Sequence, residues 1–257
     1  MADLPFVDTH VHFYDLKHPA LRWVWLEPDF VHPNLGDIDP LKAQRYGVDE
    51  FMAETRFQNV SKVIHVQAAL GSPDPVEETR WLQVFADRTD LPQAIVAEAW
   101  LANPNVGDML ERHAEFPNLR GIRDLRYDDY LTNGDWLRGF AELERFGLVF
   151  CDDPLVEQMP LLADLARRHP GQAICVDHAG FPRRRGDEYS TGIEMGQPDQ
   201  RSSTGGKIWI DREIVIPNAE RVLRRGHLLS SLRERLPGSR VGNQDSGART
   251  PRRVPLD

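Results

Sequence analysis

The stretch Phe6-Val7-Asp8-Thr9-His10-Val11-His12 decides the fold, because it joins a short apolar strand to two histidines. Alternate residues of an extended chain point to the same side, so the imidazoles of His10 and His12 are expected on one face. Two convergent imidazoles at a strand end can hold a divalent metal or polarise a carbonyl group. Asp8 lies near enough to fix a histidine tautomer, and the pattern favours a functional pair over two polar loop residues.

Strand-like and helix-like segments alternate through the first 189 residues. The predicted strands are 4–9, 62–68, 93–100, 119–123, 148–151 and 172–176. Helices are predicted between them, and two begin at the cap-plus-proline pairs Asp74-Pro75 and Asn103-Pro104. This alternation indicates a parallel α/β sheet, and no glycine-rich phosphate loop follows any strand. We therefore predict a TIM-barrel-like (β/α)8 fold with six recognisable βα units and an incomplete or irregular C-terminal end.

Active residues of such barrels lie at the C-terminal ends of strands, where the sequence offers further candidates. His178 follows the sixth strand and is the third histidine that a metal site with His10 and His12 needs, or a general base. Arg123 ends the fourth strand, and its planar guanidinium suits a substrate carboxylate or oxyanion. Gln67, at the end of the second strand, is a candidate substrate contact.

Other readings remain open for several of these residues. Arg123 is followed by Asp124 and Asp128, which would suit a surface ion pair. His65 is more typical of a core histidine that bonds a neighbour, and Asp152 precedes Pro154 as a helix cap would. The 13–46 segment is long for a βα connection and rich in aromatic residues, which predicts either a lid over the substrate or a plug in the barrel mouth.

Composition limits the class of protein. The net charge is -9, which argues against nucleic acid and anionic membranes as partners. No apolar run approaches the ~20 residues that span a bilayer, and the N-terminus has no signal-peptide pattern. Cys151 and Cys175 are the only cysteines, and both lie in apolar runs that favour buried, reduced thiols. These features predict a cytoplasmic protein with a small-molecule substrate, and a homo-oligomer is left open.

The quoted motifs together resemble a known family. Val7 to Asp15, Val63 to Ala68, Arg120-Gly-Ile-Arg123 and Asp177-His178-Ala-Gly-Phe-Pro182 are similar, in order, to motifs of amidohydrolase-related TIM-barrel hydrolases. Leu26 and Pro28 extend the first of them, and the likeness is to the sugar-acid lactonase branch over about residues 4–189. The resemblance implies hydrolysis of a small, carboxylated cyclic ester. It also implies that His10, His12 and His178 face substrate or metal and that Arg123 meets a substrate oxyanion. Members of the branch differ in metal dependence, so a Zn or Mn cofactor and a metal-independent reaction both stay open.

The last 68 residues depart from that pattern. Residues 190–257 carry 12 basic and 8 acidic residues and a single aromatic residue, Trp209. The family closes its barrel with two more strands, the last bearing a catalytic Asp, and neither Asp211 nor Asp245 stands in a comparable context. We predict a barrel domain at 1–189 and an atypical, partly disordered tail at 190–257, with a strand within 207–216 and a helix within 219–236.

The altered ending bears on activity, because a lactonase needs a group that activates water. Turnover is therefore expected to be weak or absent. Two alternatives stand beside the lactonase: a catalytically inactive, truncated or frame-shifted barrel, and a metal-dependent decarboxylase on the same scaffold.

Overall fold

The computed structural model describes residues 5–32, 37–126, 128–180 and 207–210. The strands are β1 (Phe6–Val11), β2 (Tyr14–Asp15), β3 (Arg45–Tyr46), β4 (Val60–Val66), β5 (Ala94–Glu98), β6 (Leu119–Arg123), β7 (Val149–Asp152), β8 (Ala173–Val176) and β9 (Lys207–Ile210). The helices are α1 (Val48–Thr55), α2 (Val76–Thr89), α3 (Val106–Ala114), α4 (Gly134–Phe146) and α5 (Met159–Arg168). A strand and a helix thus alternate from β4 onward to β8.

One sheet organises the molecule. Its strands run in the order β1-β4-β5-β6-β7-β8-β9, and each hydrogen-bonded pair is parallel. Strands β1 and β4 to β8 form a curled half-barrel with helices between them, which is an incomplete TIM barrel within the described residues. The predicted fold class is confirmed. All the carboxyl ends of parallel strands lie at one edge, so the predicted site residues are brought to that edge.

Side-chain alternation assigns the two faces of the sheet. Val63, Ile95 and Ile122 belong to the large core cluster between the strands and the helices. Ile64 and Val96 belong to a smaller cluster on the opposite, inner face. Both faces are apolar because a parallel sheet of this kind is covered on both sides.

The same alternation orients β1. Val11 packs in the large helix-side cluster. The residues on either side of it, His10 and His12, therefore start from the inner face of the sheet.

The long 13–46 connection is anchored rather than open. Strands β2 and β3 pair antiparallel near its two ends, and a 3-10 turn runs from Val24 to Leu26. Trp23 and Leu26 are buried and pack against Ala68 and Ala69, just beyond β4. Of the two predictions for this segment, the packed aromatic plug describes the observed cluster.

Element boundaries follow the sequence closely where local signals are strong. The strand at 119–123 is observed as predicted, and the Asp74 carboxylate accepts a bond from the backbone of Val76 at the start of α2. The helix predicted from 154 instead begins with a 3-10 turn at Val156–Gln158 and continues as α5. This boundary shift is typical of helix N-termini, where a tight turn gives one of the first N–H groups an acceptor, here the bond from Gln158 to the carbonyl of Leu155.

The predicted tail falls largely outside the described residues. Within the strand predicted at 207–216, Lys207–Ile210 is strand β9 and pairs with β8. The helix predicted at 219–236, the disorder predicted at 237–257 and the boundary near 189 lie outside what the structure describes. Among the helices that it does describe, none is both long and apolar enough to cross a bilayer.

Candidate active site

Three predicted histidines lie together at the carboxyl edge of the sheet. The ring centroids of His10 and His12 are 4.9 Å apart, and those of His10 and His178 are 4.6 Å apart. His10 lies in β1 and His12 directly follows that strand, whereas His178 lies in the 3-10 turn Asp177–Gly180 that follows β8. His178 is exposed and has a positive φ of 51°, an uncommon backbone conformation that turns the chain at this point.

The imidazole of His12 is held in one tautomer. Its Nδ1 lies 2.9 Å from the carbonyl oxygen of Val66, which can only accept, so Nδ1 carries the proton and Nε2 the lone pair. The predicted orienting group, Asp8, instead accepts a bond from the backbone N–H of His10 at 3.3 Å. Burial, followed by the positive charges of His10 and Arg123, lowers the pKa of His12 well below its ordinary value. His12 therefore presents a neutral ring with an available lone pair at neutral pH.

Arg123 is buried beside these histidines. Its Nε lies 3.1 Å from an oxygen of Asp177, and its terminal nitrogen lies 3.9 Å from Asp153. The alternative of a surface ion pair with Asp124 or Asp128 is wrong. The Asp124 carboxylate accepts bonds from Leu101 and Trp136 at 3.0 Å, and Asp128 pairs with Arg126.

His65 lies on the helix side of β4, and both nitrogens of its ring are hydrogen-bonded. The backbone N–H of Phe13 donates to its Nδ1 at 3.2 Å, and its Nε2 donates to Glu78 at 3.2 Å. Both ring nitrogens thus have protein partners, as the core interpretation of this histidine predicts. Because Phe13 directly follows His12, the bond from Phe13 also fixes the end of the strand that carries the site.

The remaining candidates lie at strand ends with different surroundings. Gln67 follows β4 and is 3% exposed, and its side-chain oxygen has no hydrogen-bond partner among the described residues. Asp152 accepts the hydroxyl of Tyr130 at 2.7 Å and the N–H of Asp153 at 3.0 Å, so its carboxylate does not cap a helix. Burial is the main cause that raises the pKa of Asp152 to about 7.

Sequence reasoning missed Glu98, the last residue of β5. It is 6% exposed, and burial together with the nearby Glu78 charge raises its pKa to about 7. The signal was present, because the rule applied to the other strands assigns importance to a carboxylate at the end of the third strand. A buried carboxyl group with a pKa near neutrality is typical of functional sites, although structural networks produce it too.

The donor set fits a divalent metal. The ring of His10 contacts those of His12 and His178, and three histidines are a ligand set that zinc takes in catalytic sites. The bond from His12 to the carbonyl of Val66 is the outer contact that orients a metal-ligating histidine and leaves its other nitrogen for the ion. Trp25 lies beside this group, with its ring centroid 6.1 Å from that of His12.

Two curated proteins are similar in sequence to this chain. It is 32% identical over 194 residues to the uncharacterized protein y4mH of Sinorhizobium fredii, which covers 70% of this chain and 64% of that protein. It is 27% identical over 186 residues to L-fucono-1,5-lactonase of Burkholderia ambifaria, which covers 68% of this chain and 57% of that protein. The chain thus spans less than two thirds of the length of either curated relative. No family model matches it.

A solved structure of an amidohydrolase is also similar to this chain. An amidohydrolase from Burkholderia multivorans, crystallised with bound zinc, superposes with a TM-score of 0.53 at 26% identity, covering 70% of this chain and 59% of that one. The structural likeness and the sequence likeness to a lactonase agree with the motifs at β1, β6 and β8. The chain therefore resembles the amidohydrolase superfamily, and its sugar-acid lactonase branch in particular.

Proposed function

We propose that this chain forms the active site of a hydrolase that opens a small carboxylated or sugar-acid lactone. The observation that carries the proposal is the contact of three imidazoles, His10, His12 and His178, at the carboxyl edge of the sheet next to the buried Arg123. The similarity to a lactonase supports the reaction class. An ester carbonyl is activated by the positive or electrophilic groups that such an arrangement supplies.

We assign His10, His12 and His178 as the residues that would hold a divalent ion such as Zn²⁺ or Mn²⁺. Such an ion supplies a Lewis acid that polarises an ester carbonyl and acidifies water. The charges around Arg123 favour a bound cation at the neighbouring histidines. One guanidinium faces two carboxylates, Asp153 and Asp177, so the formal balance there is negative, and an anionic substrate needs additional positive charge nearby.

Arg123 would position the substrate. Its Nε lies 3.1 Å from an oxygen of Asp177, and the guanidinium has further N–H donors for a substrate oxygen. The ion pair holds the guanidinium plane in place, and a rigid planar fork binds a carboxylate with two parallel bonds. Substrates with a carboxylate next to the lactone are therefore expected to bind better than uncharged lactones.

The imidazole of His178 cannot bind the ion and accept a proton through the same lone pair, so His178 would act as general base when His10 and His12 alone hold the ion. Its side chain is the exposed member of the histidine group, so water and substrate reach it first. In the proposed step its imidazole accepts a proton from the attacking water and later returns a proton to the ring oxygen that leaves. The aromatic cluster around Trp23 and Trp25 closes the neighbouring side of the site.

A matched lactone panel tests the proposal. Pairs of lactones with and without a carboxylate are assayed with a pH indicator, with added Zn²⁺, with Mn²⁺ and after chelation. We expect weak hydrolysis of carboxylated lactones that is lost on chelation. Arg123→Lys should raise KM for the carboxylated member about tenfold, the equivalent of one charge-assisted hydrogen bond, and leave the uncharged member unchanged.

Two results would contradict the proposal. Absence of turnover with every lactone and both metals is the outcome that the inactive-barrel alternative predicts. Equal turnover of charged and uncharged members, unaffected by Arg123→Lys, would remove the role of Arg123.

A further inference from the structure

Two cysteines and an aspartate of β7, β8 and the turn after β8 form a second group of metal donors. Cys151 of β7 and Cys175 of β8 are direct partners in the parallel register, and neither forms a disulfide. Asp177 lies two residues after Cys175, and its carboxylate oxygen is 4.0 Å from the Cys175 sulfur. The three donor atoms all lie within 4.8 Å of one another.

We propose that Cys151, Cys175 and Asp177 form a binding site for a thiophilic divalent cation such as Zn²⁺ or Cd²⁺. The site is distinct from the histidine group, which offers no sulfur, and the proposal does not depend on the hydrolase activity. Thiolates select soft and borderline cations, whereas a set of carboxylates alone would select Mg²⁺ or Ca²⁺.

The distances are compatible with one shared ion. Zinc binds sulfur at ~2.3 Å and carboxylate oxygen at ~2.1 Å, so a sulfur and an oxygen on one ion lie at most ~4.4 Å apart. The 4.0 Å separation of the Cys175 sulfur and the Asp177 oxygen meets that limit. Small side-chain rotations of Cys151 are sufficient for the third donor, since all three already fall within 4.8 Å.

The charges also suit a divalent ion. Two thiolates and one carboxylate carry three negative charges. A bound divalent cation compensates two of them and leaves one. Arg123, 3.1 Å from the second oxygen of Asp177, supplies a further positive charge that it shares with Asp153. Asp177 can therefore bind an ion through one oxygen while it keeps its ion pair through the other, and Cys175, which is half-buried, gives access from the inner face.

Cadmium titration tests the site. Cadmium bound to thiolate gives an ultraviolet charge-transfer absorption, and Cys151 and Cys175 are the only cysteines in the chain, so that absorption reports this site alone. We expect one Cd²⁺ per chain by this signal, and Zn²⁺ should displace it. The His10→Ala, His12→Ala double variant should retain the signal unchanged, because it removes only the histidine group.

Variants of the three donors decide the outcome. Changing a group that merely orients a ligand costs about 10–100-fold in metal affinity, so loss of a ligand in Cys175→Ser should cost at least that much. Asp177→Asn should weaken Cd²⁺ binding as well, but keep the charge-transfer band. Circular dichroism checks that each variant folds. If Cys151→Ser does not fold, the Cd²⁺ affinity of Cys175→Ser tests the site by itself. Absence of the band in the wild-type chain, or full affinity in folded Cys175→Ser, would overturn the site.

Discussion

Two histidines on opposite faces of the same sheet edge have opposite roles. On the helix side, His65 has protein partners at both ring nitrogens, one of them the buried Glu78. On the inner face, His12 bonds through Nδ1 to a backbone carbonyl, no bond to its second nitrogen occurs among the described residues, and its ring contacts that of His10. The difference shows that side chains whose hydrogen bonds are all made within the protein stabilise the fold. Side chains with a donor or acceptor still available can bind a ligand. Saturation of hydrogen bonds, more than residue type, separates the two roles.

The largest effect is expected from breaking the helix-side network. One oxygen of Glu78 accepts bonds from His65 and from the backbone N–H groups of Ala68 and Ala69. Glu78→Ala leaves these buried donors without an acceptor and should lower the free energy of unfolding by about 3–5 kcal/mol. Glu78→Gln keeps an acceptor oxygen in place and should cost less than half as much. Urea unfolding measures both, and equal losses would show that the charge rather than the acceptor holds the network.

The inner face should respond in activity instead of stability. His178→Ala removes the proposed general base and should lower kcat on the best lactone of the panel at least about 100-fold. Its exposed side chain makes little packing contribution, so the unfolding midpoint should stay near that of the wild type. The matched control is His169→Ala at the end of α5, on the opposite edge of the barrel, which should keep kcat. If both variants kept full activity, the chemistry would lie elsewhere.

Glu98 sharpens the comparison through pH. Its folded pKa of about 7 lies above the ordinary 4.5, so its neutral form favours the fold. That contribution is fully present below pH 4.5 and is lost as pH rises through 7. Glu98→Gln removes the penalty, and its stability relative to the wild type should improve by roughly 2 kcal/mol between pH 5 and pH 8. If the stability difference between Glu98→Gln and the wild type were the same at pH 5 and pH 8, Glu98 would not be a buried acid with a raised pKa.

The smallest effect is expected at the periphery of the helix layer. The side chain of Asn133 accepts bonds from the backbone N–H groups of Asp135 and Trp136 at the start of α4. Asn133→Ala should cost about 1 kcal/mol of stability and leave the site unchanged. Asn105 takes the same position before α3 without a side-chain cap bond, so Asn105→Ala should be nearly neutral. A larger loss at Asn105 than at Asn133 would contradict the capping argument.

Local signals carried most of the fold prediction. The alternation of β-branched strands with amphipathic helices, and the Asn and Asp caps before helices, depend on neighbours in the chain and are readable without the structure. The strand-end rule placed His10, His12 and His178 at one edge, and the structure brings their rings into contact. The roles assigned to them remain predictions.

Other features required tertiary contacts. The partners of Arg123 come from 30 and 54 positions farther along the chain, at Asp153 and Asp177, so the adjacent Asp124 misled the sequence interpretation. The tautomer of His12 is set by a carbonyl of the neighbouring strand, at Val66. Neither contact has a periodic signature, because each depends on which strands become neighbours.

By itself, the sequence determined the order of strands and helices, the barrel class and the edge at which the polar side chains collect, since periodicity and the strand-end rule are properties of the chain. Only the tertiary structure decided which of those side chains are saturated and which can bind. His65 and His12 illustrate this division, because they share a residue type and a sheet edge. The packing of α2 places Glu78 against His65, whereas no carboxylate of the described part of the chain bonds to the ring of His12. Burial and pairing are collective properties of the folded chain, and they turn one histidine into a scaffold residue and the other into a candidate ligand.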